Sequence, residues 1–260
     1  MIHSQMSRSR VWRLTALAGG GRVGVLSSSL SLCRPHHRHH SSSSAAYSPF
    51  STLFPPRSPA SPSLLLTAEH ASCALPPNYE WPPEDRRLEG THWTYDPGAR
   101  EFCAELGERT GAPSIYAEFS RLLVDPNREL SSDTLFRLDA EHEPIALNRS
   151  LCDQECQSRL DLCYHPFHRA LSALVRKEQP KCIVSVHSFT PVYEGQQRTV
   201  EIGVLFSRES DRWLSEKVTS RLRSNGFPRT ELNSPWSGLA GFMNSCQCHS
   251  ETVGATGMML

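Results

Sequence analysis

The sequence contains no acidic residue before Glu69, although 27 basic (Lys+Arg) and 27 acidic residues balance over the 260-residue chain. The formal net charge of zero gives no support for a nucleic-acid partner or for an anionic membrane surface. No run of about 18 apolar residues occurs, so we also expect no membrane-spanning helix. These absences argue against nucleic-acid and membrane partners.

The acid-free start has the composition of an organelle transit peptide. Seven arginines, no lysine and many serines precede Glu69, and this bias is typical of such targeting segments. Residues 7–17 could form a short basic amphipathic helix, and a disordered basic tail without a targeting role is the alternative. We predict a transit peptide over residues 1–40 that directs the protein to mitochondria, or to plastids as the alternative. A Ser/Pro-rich linker is predicted over residues 41–63.

The cysteines are too loosely spaced to define a disulfide framework or a metal module. Their number, nine, is odd, and a chain of this length does not depend on disulfides for a core. The tightest cluster, Cys152, Cys156 and Cys163, lacks the C-x-x-C spacing of structural zinc sites. We therefore expect mostly free thiols, with a cysteine-based zinc module as a poorly supported alternative.

Apolar runs alternate with amphipathic segments from Leu64 onwards. The continuous run Leu64–Ala68 is typical of a parallel strand that is covered on both faces. Asp96 and Pro97 suit the N-cap and first position of a helix that Gly111 can end. Further strands are predicted over 114–119, 182–186 and 200–206, and further helices over 152–177, with a break at Pro166, and over 210–225. This order predicts one three-layer α/β domain over residues 64–260, with a mainly parallel central sheet flanked by helices.

Polar side chains follow the first three predicted strands. Glu69-His70 follows the first strand and His187-Ser188 the third, whereas the second is followed by a longer polar segment that contains Ser120, Arg121, Asp125, Asn127 and Arg128. In open α/β sheets, ligands bind at the edge formed by the carboxyl ends of the strands. We therefore expect these side chains to converge at one edge of the sheet.

Two imidazoles and a carboxylate at this edge predict a metal site. Glu69, His70 and His187 form a common catalytic zinc ligand set, in which zinc polarises a carbonyl and acidifies a bound water. The alternative is that both histidines only make hydrogen bonds to loop backbone. Arg121 and Arg128 are candidates for binding a substrate carboxylate through paired hydrogen bonds. For Arg121, an internal ion pair with Asp125 is the alternative.

Two further histidines, His165 and His168, flank Pro166 with H-x-x-H spacing. They could join the metal site, but the better interpretation is that one of them fixes its helix against the edge of the sheet.

These segments together resemble the N-formylglutamate amidohydrolase family. The matching stretches are 66–72, Asp96 with Gly98-Ala99, 120–128, 164–168, 186–191, Arg198 with 202–205, and 233–238. The resemblance implies a fold similar to zinc carboxypeptidases and the hydrolysis of N-formyl-L-glutamate, or a related N-acyl amino acid, to formate and glutamate. It also implies zinc near His187-Ser188. The implied substrate-binding residues are Ser120, Arg121, Asn127 and Arg128, by analogy with an Asn-Arg pair that holds a carboxylate.

The sequence also departs from the family pattern. Cys73 stands where the family usually has Asn, and Ser234 and Trp236 stand where it usually has Glu and Tyr. After Met243 we expect no further strand, whereas the family continues into one that carries a glutamate, the implied general base. We therefore expect an incomplete C-terminus and identify no catalytic base. The second hypothesis is a degenerate, non-catalytic relative that binds an acidic amino acid or a protein partner.

Overall fold

The structure is a computed structural model, in which residues 47–193 and 195–260 are described. The predicted transit peptide, residues 1–40, and the first part of the predicted linker lie outside the described residues. Within the described part of the chain, no helix is long and apolar enough to cross a membrane.

A five-stranded sheet forms the centre of the domain, with strand order β1-β3-β2-β6-β11. Strands β2, β3, β6 and β11 are parallel, and β1 is antiparallel to its neighbour β3. The predicted mainly parallel sheet is therefore confirmed. In chain order the strands are β1 (Phe50–Leu53), β2 (Leu64–Ala68), β3 (Ser114–Ala117), β4 (Asp139–Ala140), β5 (Glu143–Pro144), β6 (Cys182–Ser185), β7 (Val192–Tyr193), β8 (Gln196–Gln197), β9 (Ile202–Val204), β10 (Thr230–Leu232) and β11 (Thr256–Met259).

Helices cover both faces of this sheet. They are α1 (Ala99–Thr110), α2 (Asp153–Arg159), α3 (His165–Glu178), α4 (Arg212–Ser224) and α5 (Asn244–Glu251). Alternate residues of each central strand enter opposite core clusters, because successive side chains of a strand point to opposite faces. Leu65 and Ile183 pack with residues of α3 and α5, whereas Leu66 and Val184 pack with residues of α1 and α4. Burial on both faces explains the continuous apolar runs of β2 and β6.

A π-helical turn, Leu160–Tyr164, joins α2 to α3 immediately before Pro166. Proline has no backbone N–H, and its ring clashes with the carbonyl four residues earlier. The chain stays helical from Asp153 to Glu178, so the structure has a local change of helix type before Pro166 and not the predicted break.

Two strands of the central sheet lie where we predicted none. Strand β1 lies inside the predicted linker, where it pairs with β3 and Phe50 packs against the core. Strand β11 occupies the region after Met243 that we expected to lack a strand, and it extends the sheet beside β6. Gly257 suits this position because a Cβ atom would lie 2.9 Å from Ser250 Oγ. Both are four-residue edge strands, which are specified more by pairing than by their own apolar pattern.

Candidate metal centre

His70, Asp96 and His187 converge at the carboxyl ends of β2 and β6. Thr67 of β2 pairs with Ser185 of β6, so the residues that follow these strands are neighbours. The Nδ1 atoms of the two histidines are 3.1 Å apart, and Asp96 Oδ2 lies 2.8 Å from His187 Nδ1 and 3.5 Å from His70 Nδ1. These three side chains form a possible metal-binding group.

The spacing and chemistry of this group fit zinc. Ligand atoms bound to one tetrahedral zinc ion at about 2.0–2.1 Å lie roughly 3.3 Å from one another, close to the observed separations of 2.8, 3.1 and 3.5 Å. His70 and Asp96 are buried, with 2% and 5% of their surfaces exposed. Two imidazoles and one carboxylate are a common ligand set in catalytic zinc sites.

The outer nitrogen of each imidazole is also held in place. His70 Nε2–H donates to Asp125 Oδ1 over 2.8 Å. His187 Nε2 lies 3.0 Å from Ser185 Oγ and 3.4 Å from Glu69 Oε2. A metal-binding histidine commonly donates its second N–H to a carboxylate or other acceptor, which fixes the ring and leaves the inner lone pair free for metal. Both rings have this arrangement, with Nδ1 inward and Nε2 outward.

Glu69 lies behind His187 rather than between the two Nδ1 atoms. Its carboxylate accepts hydrogen bonds from Thr67 Oγ1 at 2.8 Å and from Ser185 Oγ at 2.6 Å. Complete burial raises the pKa of Glu69, but interactions with His187, Ser185 and Thr67 outweigh burial and bring the pKa to about 2. A carboxylate with this pKa is a weak proton acceptor at neutral pH.

The pKa of His187 is raised by its two carboxylate neighbours. Burial lowers its pKa, but hydrogen bonds and attraction from Asp96 and Glu69 outweigh burial and raise the pKa to about 9. Burial likewise raises the pKa of Asp96, yet the charge of His70 and the contacts with His187 and Arg121 hold it well below its usual range. Without metal, the site therefore keeps its carboxylates ionised and His187 protonated, and a metal ion would have to displace a proton from His187 to bind it.

Arg121 holds the two aspartates that surround His70. Its Nη1 donates to Asp96 Oδ1 at 3.1 Å, and its Nη2 donates to Asp125 Oδ2 at 3.3 Å. The internal ion pair between Arg121 and Asp125, which the sequence analysis gave as an alternative, is therefore present, and Arg121 forms a second ion pair with Asp96. Each aspartate directs one oxygen at His70 and the other at Arg121.

The remaining predicted substrate-binding residues lie on the same loop with different surroundings. Ser120 is fully buried, and its hydroxyl donates to Thr94 O. Asn127 is also buried and bonds to the backbone of Phe242 and Ser245. Arg128 is half-buried: its Nε donates to Thr134 Oγ1, its Nη1 donates to Asn127 O, and it lies over the Phe242 ring.

His168 fixes its helix, as the sequence analysis favoured, and does not join the metal group. Its Nε2–H donates to Pro126 O over 2.9 Å, and its Nδ1 lies 2.9 Å from His249 Nε2. Ser172 Oγ contacts His249 Nδ1 at 3.3 Å, which completes a chain of neutral partners between α3 and α5. Burial lowers the pKa of both imidazoles to about 4. Among the described residues, His165 is not a member of the group formed by His70, Asp96 and His187.

Asp96 is the residue whose place in the site the sequence analysis missed. We predicted it as a helix N-cap, but α1 begins at Ala99 and its N-cap is Gly98, which has a φ of 83°. The Asp96 side chain instead accepts a hydrogen bond from Ser188 N at 3.2 Å and faces both histidines. The sequence feature that could have identified Asp96 as a site residue is its position in the family-like stretch with Gly98-Ala99. We interpret this position in the sequence as a helix cap instead.

Comparisons with known proteins identify the family of the chain and agree with its fold. The model of the N-formylglutamate amidohydrolase family matches residues 62–257. The crystal structure of a gene product from Agrobacterium tumefaciens superposes with a TM-score of 0.73 and 29% sequence identity, over 81% of this chain and 82% of that one. No curated protein matches the sequence. Since the family model spans most of the described domain, the chain belongs to the N-formylglutamate amidohydrolase family.

Proposed function

We propose that the protein is a zinc-dependent amidohydrolase that cleaves N-formyl-L-glutamate, or a related N-acyl amino acid, to formate and L-glutamate. Family membership supports hydrolysis of an amide. The observation that carries the zinc dependence is the inward orientation of two Nδ1 atoms and one carboxylate oxygen within 4.8 Å of one another.

His70, Asp96 and His187 are the ligands in this proposal. Zinc at this position supplies Lewis acidity towards an amide carbonyl and towards water. Glu69, which the sequence analysis placed among the ligands, has a positioning role instead. It holds the Nε2 side of His187 together with Ser185, while Asp125 holds His70.

Arg128 is the residue of its loop that we propose for the substrate α-carboxylate. Its Nη2 makes no hydrogen bond to any described residue, and a guanidinium pairs well with a carboxylate. Arg121, in contrast, already has two carboxylate partners. Ser120 and Asn127 support the loop backbone, so their contribution to substrate binding is indirect.

A non-catalytic role in binding an acidic amino acid is the second candidate. It is favoured by the weak basicity of Glu69, whose buried carboxylate already interacts with His187, Ser185 and Thr67. A hydrolase without a positioned base loses about 10²- to 10⁴-fold in rate.

One experiment separates the two functions. The full chain is loaded with zinc and incubated with N-formyl-L-glutamate, and formate release is followed with His187→Ala as the control. We expect release from the parent protein and none from the variant. Binding of N-formyl-L-glutamate by calorimetry without formate release would instead support the non-catalytic role.

For localisation, we propose that residues 1–40 target the protein to mitochondria, or to plastids in a photosynthetic host. The proposal rests on their Arg-rich, acid-free composition. Residues 1–46 fused to a fluorescent protein should carry it into the organelle, and replacing Arg8, Arg10 and Arg13 by Glu should leave it in the cytosol. Secretion of the fusion would contradict the proposal.

A further inference from the structure

The guanidinium of Arg198 is surrounded by aromatic rings. Its Cζ atom lies 4.5 Å from the ring centre of Trp236, 4.9 Å from that of Tyr193 and 5.5 Å from that of Phe189. Phe189 and Trp236 also meet edge to face, with centres 5.9 Å apart. Stacking on several rings restricts the orientation of a guanidinium, so less conformational freedom is lost when it binds a ligand.

Most of the hydrogen-bonding capacity of this guanidinium is unused within the described residues. Arg198 Nη1 donates to Thr190 O at 3.3 Å, and no carboxylate among residues 47–193 and 195–260 forms an ion pair with it. Arginine has five N–H donors in a planar fork that matches a carboxylate. Burial lowers the pKa of Arg198, so an anionic partner would compensate a partly desolvated charge.

Arg198 is also bonded to the segment that follows His187 of the candidate metal centre. Its backbone N–H donates to Pro191 O at 2.8 Å, and its side chain bonds to Thr190, three residues after His187. Because three residues of extended chain span roughly 10 Å at most, the backbone of Thr190 lies within roughly 10 Å of the backbone of His187. Burial lowers the pKa of His92, the carboxylates of Glu141 and Asp96 raise it, and the positive charges of Arg121 and Arg198 lower it further.

We propose that Arg198 binds the side-chain carboxylate of the substrate, while the rings of Phe189, Tyr193 and Trp236 contact the methylene groups that lead to it. This inference rests on the proposed function and assigns its specificity. The apolar rings beside the guanidinium suit a substrate whose second carboxylate is separated from the amide by methylene groups. Arg128 then serves the α-carboxylate, and the two cations together predict a preference for dianionic N-acyl amino acids.

The test compares two isosteric substrates, N-formyl-L-glutamate and N-formyl-L-glutamine, in the zinc-loaded full chain. Arg198→Met keeps an unbranched apolar stem against the rings and removes the charge. It should lower kcat/KM for the glutamate substrate by about 10- to 100-fold and change the glutamine substrate by less than about threefold. Arg198→Lys should give a smaller loss, because lysine retains the charge without the planar fork.

Two controls make the result specific. Arg128→Met should lower kcat/KM for both substrates alike, because both carry the α-carboxylate. In the sequence, the acidic residue Glu194 stands four residues before Arg198. The Glu194→Gln variant therefore tests whether Arg198 only forms an ion pair within the protein. We expect this variant to prefer the glutamate substrate as the parent protein does.

Equal losses on both substrates in Arg198→Met, or no loss on the glutamate substrate, would overturn the proposal. If the parent protein hydrolyses neither substrate, the hydrolytic function fails, and the Kd values of the two ligands in the same variants decide the role of Arg198. Absence of binding to both ligands would overturn both proposals.

Discussion

At the scale of single residues, the ligand set of the candidate site depends on which side-chain atoms face inward and which are already hydrogen-bonded to other residues. The sequence could predict His70 and His187, because each follows a buried apolar strand. It could not distinguish Asp96 from Glu69 as the third member, since that choice depends on contacts between residues distant in the chain. Asp96 faces the inner Nδ1 atoms, whereas Glu69 lies behind His187 in contact with Ser185.

Arg121 should stabilise the metal-free site by compensating Asp96 and Asp125. We expect Arg121→Met to lower the free energy of unfolding by about 2–4 kcal/mol without zinc, because two buried carboxylates lose their shared partner. The loss should be smaller with zinc, which compensates Asp96. Urea unfolding with chelator and with zinc measures both values.

The matched control for this prediction is Arg109→Met, which breaks an exposed pair with Glu105. An exposed pair of this kind contributes at most about 0.5 kcal/mol. Equal losses for the two variants would show that Arg121 is an ordinary surface cation.

At the scale of secondary structure, the sequence predicted the elements whose pattern is local. Strands β2, β3 and β6 are apolar runs, and α1 ends at Gly111, where φ is 69°. The predicted strand over 200–206 is shorter, Ile202–Val204, and meets the central sheet through one bridge between Leu205 and Met259. Strands β1 and β11 were missed because their four residues show little pattern of their own and depend on β3 and β6.

A pair of phenylalanines tests whether β1 belongs to the folded domain. Phe50 is half-buried against the core, whereas Phe54, one residue beyond the strand, is 53% exposed. We expect Phe50→Ala to lower the free energy of unfolding by about 2 kcal/mol, less than a fully buried phenylalanine, and Phe54→Ala by less than about 1 kcal/mol. Thermal or urea unfolding measures the difference. If both substitutions lowered the free energy of unfolding by the same small amount, β1 would be part of the linker and not of the folded domain.

The histidine contact between α3 and α5 predicts how stability depends on pH. Burial lowers the pKa of His168 and His249 from about 6.5 to about 4, so the unfolded chain takes up protons at a higher pH than the folded protein. Their contribution is therefore complete above about pH 6.5 and decreases towards pH 4, by about 3 kcal/mol for each histidine.

His168→Gln should make this pH dependence shallower, because glutamine can retain a donor to Pro126 O and does not titrate. Unfolding free energies measured between pH 7 and pH 4.5 provide the comparison. An unchanged slope in the variant would show that His168 takes up its proton equally well in the folded protein.

At the scale of the whole molecule, the three layers place residues from distant segments at one edge of the sheet. The family match and the structural neighbour support this architecture over most of the chain. His70 and His187 are contributed by adjacent parallel strands, and Asp96 by the loop that leads into α1. The chemistry therefore depends on strand order, which a local sequence pattern does not specify.

Zinc content and affinity, measured on the purified full chain and three variants, test the central claim most directly. We expect roughly one zinc ion per chain in the parent protein, and loss of stoichiometric zinc in His187→Ala and Asp96→Asn. Glu69→Gln should retain one zinc with affinity weakened about 10- to 100-fold, as for residues that support a ligand. Stoichiometric, tightly bound zinc in Asp96→Asn, together with loss of zinc in Glu69→Gln, would contradict the proposed ligand set.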